Sequence, residues 1–223
     1  MENNKYRLKV VIKSEAIFNS GEEDENLVNQ KVLADKYGRV YFHAKSLKGE
    51  LKNTAYWILE QYKLIDSKRA KSFLNSIIKL FGINSEEIKL HFNKNDDSKG
   101  SIQGIINLSN LELDNRTKSW IKQIQLEDRE DEYYRITPQD FINAQTNVRT
   151  SIKLKNGVVE DKMMTTYHTV KNGLAFYSYI TFSENLNNKT KRDFELIIKA
   201  FKRIGAGIHR GRGVIETSLE SIE

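Results

Sequence analysis

Apolar and polar positions alternate over residues 6–14, with Leu8, Val10 and Ile12 set against Arg7, Lys9 and Lys13. A period of two predicts a strand, and Val11, which breaks the alternation, leaves both faces partly apolar. Residues 31–34 and 39–42 predict two short strands around a Lys36-Tyr37-Gly38 turn. The period then changes to three and four. Leu47, Leu51, Ala55, Ile58, Leu59 and Tyr62 predict a helix over 46–62, with Ser46 as its N-cap. A second helix is expected with Ser67 as its cap, with Ala70, Phe73, Leu74, Ile77, Ile78 and Phe81 on one face and Gly82 as its stop.

Residues 93–100 form a polar loop, and 101–109 predict a strand. Residues 116–126 predict a short helix carrying Trp120, Ile121 and Ile124, and Thr137-Pro138-Gln139-Asp140 predicts a turn. A hairpin is expected around Asn156-Gly157, a strong type I′ signal. Residues 173–183 predict a long strand with Leu174, Phe176, Ser178, Ile180 and Phe182 on one face. Phe194, Ile197, Ile198 and Phe201 predict a helix over 189–204, and residues 214–219 a final strand. Without the insertions the order is strand, helix, strand, strand, helix, strand. That order predicts an α+β fold with a ferredoxin-like (RRM-like) βαββαβ palm. One domain over 1–223 is expected, its core at about 5–14, 46–62, 101–109 and 173–219, with insertions at 15–45, 63–100 and 110–172.

Composition narrows the function classes. The 223 residues are 39% hydrophobic and 30% charged, ample for a core under a charged surface. No apolar run approaches the roughly 18–20 residues that span a bilayer. The opening MENNKYRLKV has no signal-peptide core, so a cytoplasmic location and no membrane partner are expected. The chain has no cysteine, which excludes disulfides, thiol catalysis and cysteine-held metal.

The net charge of +6 is concentrated. Between Asn187 and Gly213 eight lysines and arginines face only Asp193 and Glu195, a surplus equal to that of the whole chain. Such a cluster points to a polyanion, nucleic acid above all; the alternative is a solvated helix face. Two acidic runs, Glu22 to Glu25 and Glu127 to Glu132, are expected to be exposed loops.

The basic segment ends in Gly205-Ala206-Gly207-Ile208-His209-Arg210-Gly211-Arg212-Gly213. It follows a helix and precedes a strand, the reverse of a dinucleotide fingerprint or a P-loop. Glycines allow backbone N–H groups close to a phosphate, and His209, Arg210 and Arg212 supply charge. The alternative is a tight helix-to-strand turn. At the start of the first helix, Lys45, Ser46, Lys48 and Gly49 suit a phosphate through free N–H groups, charge and close approach, beside the alternative of a plain cap.

These motifs together resemble the RAMP superfamily (repeat-associated mysterious proteins) of CRISPR systems. The glycine loop resembles its signature loop, and Ser46-Leu47-Lys48-Gly49 resembles an IPGSSLKG-type motif in which His43-Ala44-Lys45 replaces Pro-Gly-Ser. Leu80-Phe81-Gly82 with Gly104-Ile105-Ile106-Asn107, residues 148–157 and residues 169–176 resemble family segments in family order. The resemblance is greatest to backbone subunits of type III effector complexes. It implies that Lys45, Ser46, Lys48, Gly49, Gly205, Gly207, His209, Arg210, Gly211, Arg212 and Gly213 contact RNA. It implies as partners CRISPR RNA, target RNA, other RAMP subunits and the large subunit, and it implies a hairpin thumb that interrupts the guide–target duplex. Met163 and Met164 beyond Asn156-Gly157 suit a wedge against a base, or an ordinary core.

The resemblance also bears on catalysis. In many such subunits an aspartate in a D-x-x-V-x-x-D pattern, about seventeen residues before SLKG, cuts target RNA. The matching stretch here is Asn29-Gln30-Lys31-Val32-Leu33-Ala34-Asp35, with an amide at the catalytic position. An amide is no general base. Asp24, Glu25 and Asp35 remain as acidic candidates. The expectation is a non-cutting subunit without metal or cofactor, a divalent ion entering only if one of these cuts. Two alternatives stay open: a RAMP endoribonuclease that cuts target RNA or processes CRISPR RNA, using His43 or His209 for proton transfer, and an interaction module whose glycine loop holds a small anion.

Overall fold

The computed structural model describes residues 5–19, 30–87, 101–127, 136–155 and 158–222. Its sheet is built on three long strands: β1 (Lys5–Ile12), β9 (Ala175–Phe182) and β10 (Ile215–Ser221). β1 lies between the other two and is antiparallel to both, with Arg7 opposite Tyr179 on one side and Glu220 on the other. Beyond β9 the sheet continues through β5 (Ile106–Leu108) and β6 (Leu111–Glu112) to β2 (Tyr41–Phe42). The order β10-β1-β9-β5 is the 4-1-3-2 arrangement of a ferredoxin-like palm, as the element order predicts.

Alternation orients the sheet. Tyr6, Leu8, Val10 and Ile12 of β1 and Phe176, Ile180 and Phe182 of β9 are buried, while the residues between them point to the other face. The buried face is covered by α1 (Ala44–Ile65), α2 (Ser67–Phe81) and α5 (Asn188–Ala200). Ser178, the one polar residue of the buried row, donates its hydroxyl to the Ser109 carbonyl at 2.8 Å. α2 and α5 are joined by Asp193, wholly buried, which takes a hydrogen bond from Ser76 Oγ at 2.6 Å and pairs with Arg69.

Several expected boundaries change. α1 begins at Ala44, with His43 as N-cap: its Nδ1 accepts from Lys45 N at 3.1 Å. Ser46 is therefore a first-turn residue and not the cap. Asp66, rather than Ser67, caps α2, accepting from Lys68 N and Arg69 N. The expected strand over 101–109 divides at Gly104 into β4 (Ile102–Gln103), which pairs with β3 (Gly82–Ile83), and β5. Between β6 and the hairpin lie α3 (Asn115–Glu127), as expected, and α4 (Pro138–Gln145). α4 replaces the expected turn. Thr137 and Asp140 form a capping box and Pro138 sits at the helix start, where its missing N–H costs nothing.

A separate two-stranded sheet joins β7 (Thr146–Lys155) and β8 (Val158–Val170). It is the expected hairpin, although Asn156, Gly157 and the side chains of Met163 and Met164 lie outside the described part. The acidic run 22–25, most of the run 127–132, the polar loop 93–100, His91 and Asn29 lie outside it too. Among the described residues no helix is long and apolar enough to cross a membrane.

Candidate nucleic-acid interface

α5 stops at Ala200, four residues earlier than its apolar pattern predicts, because the chain beyond it pairs with the far end of the glycine loop. Arg203 bridges Val214, and Ile204 N donates to Gly213 O at 2.9 Å. The loop is then stitched to the segment after β1. Ala206 N donates to Ile17 O, Gly213 N to Glu15 O, and Ser14 Oγ to Gly211 O. At the tip, Ile208–Arg210 make one turn of 3₁₀ helix between Gly207 and Gly211, both left-handed.

The four glycines thus have two jobs. A Cβ on Gly205 or Gly213 would sit far inside van der Waals contact with the carbonyl oxygens of Ile17 and Ile204. Their identity is accounted for by packing within the protein. Gly207 and Gly211 turn the chain; a Cβ on Gly207 would make only ordinary contact with the Ile17 and Arg212 side chains at 3.5 and 3.7 Å, and one on Gly211 would meet nothing within 4 Å. His209 and Arg210 stand exposed between them. Arg203 holds the turn from beneath, donating Nη1 to Ile208 O at 2.8 Å and Arg212 O at 3.3 Å. Arg212 lies over the Tyr167 ring, 4.8 Å from its centre. Between loop and hairpin base opens a cleft of about 240 Å³, lined among others by Arg210, Arg212, Tyr167, Thr165, Ser151 and Gln30.

The α1 start reaches the same loop. Glu50 lies against the Gly205 backbone, and burial raises its pKa against the opposing pull of that N–H. Lys45 and Ser46 are exposed, and Gly49 has no neighbour where a Cβ would stand. Lys48 differs from the expected free cation. It is half-buried and its Nζ donates to Ile106 O at 3.2 Å, with its pKa lowered by burial and then by Lys52. A glutamate there would meet a carbonyl oxygen, so Lys48→Glu would disturb the palm as well as any phosphate contact.

The charge count also changes meaning. Asp193 is sealed between Arg69 and Ser76, so one of the two acids opposing the basic segment does not reach its surface. Lys202, Arg203 and Arg210 are exposed.

The catalytic candidates fare otherwise. Asp35 is occupied by the hairpin turn: it accepts from Tyr37 N at 2.9 Å and Arg39 N at 3.1 Å and pairs with the Arg39 guanidinium. That is a structural role. Asp24 and Glu25 lie outside the described residues. His43 spends Nδ1 on the helix cap. His168 is buried, accepts from Val32 N at 3.4 Å, and is held below its ordinary pKa by burial. Only His209 of the described histidines is exposed without a hydrogen bond. Among the described residues no three of His, Asp or Glu gather as a metal would require.

Sequence reasoning missed Glu15, which ties the hairpin to the palm. Its carboxylate takes two hydrogen bonds from Arg149 (2.6 and 3.0 Å) and one from Asn147 (2.9 Å). An acid just past β1 carries no signal until its partners, far along the chain, are placed. Arg149 is the main cause of a Glu15 pKa lowered to about 2. A depressed carboxylate stabilises the fold above its unfolded pKa, and that contribution fades as pH falls from about 4.5 toward about 2. Amide protection along β7 and β8, measured relative to the intrinsic exchange rate at each pH, should therefore fall over that window in wild type. Glu15→Gln should remove this pH dependence; an identical profile would refute the role given to Glu15.

The comparisons agree with this architecture. A family model described as RAMP superfamily matches residues 9–216. No curated protein matches significantly. Among solved structures, the chain is similar to one in the type III-B Cmr-beta complex bound to cognate target RNA, with TM-score 0.62 and 12% identity over 96% of each chain. It is similar to one in the apo Cmr-beta complex, with TM-score 0.61, 13% identity and the same coverage. A type IV-B CRISPR complex chain gives TM-score 0.57 and 10% identity over 97% of this chain and 90% of the other.

Proposed function

The chain belongs to the RAMP superfamily, and from that membership we propose that it is an RNA-binding structural subunit of a type III CRISPR effector complex. It grips the CRISPR RNA backbone with the glycine loop and the α1 start. The β7–β8 hairpin serves as the thumb at the guide–target duplex. The observation that carries this reading is the meeting of the two motifs: Glu50 of α1 lies against the Gly205 backbone, and the loop's arginines border a cleft beside the hairpin. The similar Cmr-beta chain, from a complex bound to target RNA, supports the ligand class. Phosphate contacts fix position without reading sequence, so unrelated RNAs should bind alike. The test is fluorescence anisotropy with labelled single-stranded RNAs of unrelated sequence over rising KCl. Each phosphate neutralised contributes roughly −0.7 to the log–log slope. Binding indifferent to salt would overturn the proposal.

Asn29 makes this a non-cutting subunit. Reconstituted complex given labelled target RNA with Mg²⁺ or Mn²⁺ should leave it intact, since loss of an essential carboxylate costs several orders of magnitude in rate. Metal-dependent cuts lost in Asp24→Ala or Glu25→Ala would reverse this assignment. Exposed His209 beside Arg210 favours the second reading, a histidine endoribonuclease. Metal-independent cleavage that disappears in His209→Ala would establish it.

A further inference from the structure

The palm has a second face. The residues of β1 and β9 that point away from the helices include Arg7, Lys9, Tyr177 and Tyr179, set side by side by the register: Arg7 opposite Tyr179, Lys9 opposite Tyr177. Tyr179 is 43% exposed at the middle of the sheet. Its hydroxyl is 3.5 Å from Asn115 Nδ2. Beside it opens a cavity of about 420 Å³ whose wall includes Arg7, Tyr177, Tyr179, Asn110, Asn115 and Arg116. The Arg7 guanidinium covers Tyr177, 5.2 Å from the ring centre, and is anchored there by Glu220 at 2.6 Å. Tyr179 is left with its ring open.

We infer that this face is a second RNA site, in which a base of a single strand stacks on Tyr179 within the Arg7–Arg116 cavity. Tyrosine suits any solvent-facing strand, so exposure alone carries nothing. This face is set apart by three features gathered in and beside one cavity. Two aromatic residues two positions apart occupy a central strand. Arg116 in the cavity wall and Lys9 beside Tyr177 make no ion pair among the described residues, although Glu112 is matched by Lys118 and Glu216 by Lys13. Asn110 and Asn115 bring amide groups to the rim, able to meet the polar edge of a base. An aromatic platform flanked by uncommitted cations is the chemistry that binds single strands, the ring taking the base and the cations the phosphates. The site is separate from the glycine loop. Arg7 and Ser14, which contacts the loop, stand seven residues apart along an extended chain, roughly 20 Å at about 3.3 Å per residue. The inference goes beyond the loop reading and shares only its ligand class.

The test uses the full chain and a fluorescein-labelled decauridylate. Tyr179→Ala should weaken binding roughly 5- to 150-fold, the loss expected for one base–aromatic stack. Tyr179→Phe should bind as wild type, and the melting temperatures of both should stay within a few degrees of it. Ultraviolet crosslinking to the same RNA should mark the peptide holding Tyr177 and Tyr179, and should still do so in Arg210→Ala/Arg212→Ala. Crosslinks confined to the glycine loop, or unchanged affinity in Tyr179→Ala, would overturn the inference. So would self-association in RNA-free sedimentation that Tyr179→Ala abolishes, since the face would then hold a second copy. Sheet crosslinks without any at the loop would sink the loop reading and leave this one standing.

Discussion

Arg210→Ala/Arg212→Ala is expected to lower affinity for single-stranded RNA about 10- to 100-fold near physiological salt, equally for unrelated sequences. The estimate follows from charge-assisted contacts worth about 1.5–3 kcal/mol when both partners are well placed, reduced here because Arg210 is exposed. Losing two phosphate contacts should also flatten the log–log salt slope by roughly 1.4. The fold should survive. Arg210 makes no side-chain hydrogen bond or ion pair among the described residues. Arg212 contributes one stack on Tyr167, worth about 0.5–1 kcal/mol. Lys189→Ala/Lys199→Ala, which removes two exposed lysines of α5, separates a specific loop from a general positive field. Equal losses in the two double variants would reduce the loop to charge alone, and full affinity in the arginine variant would remove it from the interface. Arg203→Ala is unsuitable as such a probe, because Arg203 ties down two loop carbonyls.

Gly213→Ala is expected to be the most damaging single-methyl change in the loop, and Gly211→Ala a mild one. Both residues have positive φ, +67° and +77°. That conformation costs an L-residue about 1–2 kcal/mol in either place. The difference is space. The methyl at Gly213 would collide with the Ile204 carbonyl, whose oxygen belongs to the strand-like pair that ends α5, whereas at Gly211 it meets nothing. We expect about 3 kcal/mol or more at Gly213 and about 1 kcal/mol at Gly211. For a chain of this size the melting temperature should then fall by roughly 6–12 °C and 2–4 °C. Thermal unfolding followed by circular dichroism measures both. Equal shifts would mean that Gly213 is required for its backbone angle alone.

The asymmetry between these glycines marks how much of the site could be read along the chain. Four glycines interleaved with His209, Arg210 and Arg212 identify a loop built for something. Nothing local distinguishes Gly213, pressed on Ile204, from Gly211, which faces open space. The α1 motif behaves the same way. Lys45 and Ser46 are exposed as a first turn should be, but Lys48 is drawn to Ile106 O, on a strand that only the folded sheet brings near. Asp35, an acid in a nuclease-like pattern, is spent on the Tyr37 and Arg39 amides of its own turn. One miss was avoidable. Thr137-Pro138-Gln139-Asp140 carries the capping-box spacing with proline at the helix start, a local signal for α4.

By itself the sequence determined the palm: the alternation of β1 and β9, the three-and-four spacing of α1, α2 and α5, their βαββαβ order, and the family to which that order and its motifs belong. These depend on which side of a strand or helix meets water, a property that repeats along the chain and is legible one residue after another. Tertiary structure alone decided where α5 ends, that Asp193 is hidden from the basic surface, that Glu15 anchors the hairpin, and that the glycine loop is stitched to the segment after β1. Each of those depends on a hydrogen bond or ion pair between groups far apart in sequence. Their strength comes from burial and geometry that exist only after the layers have packed.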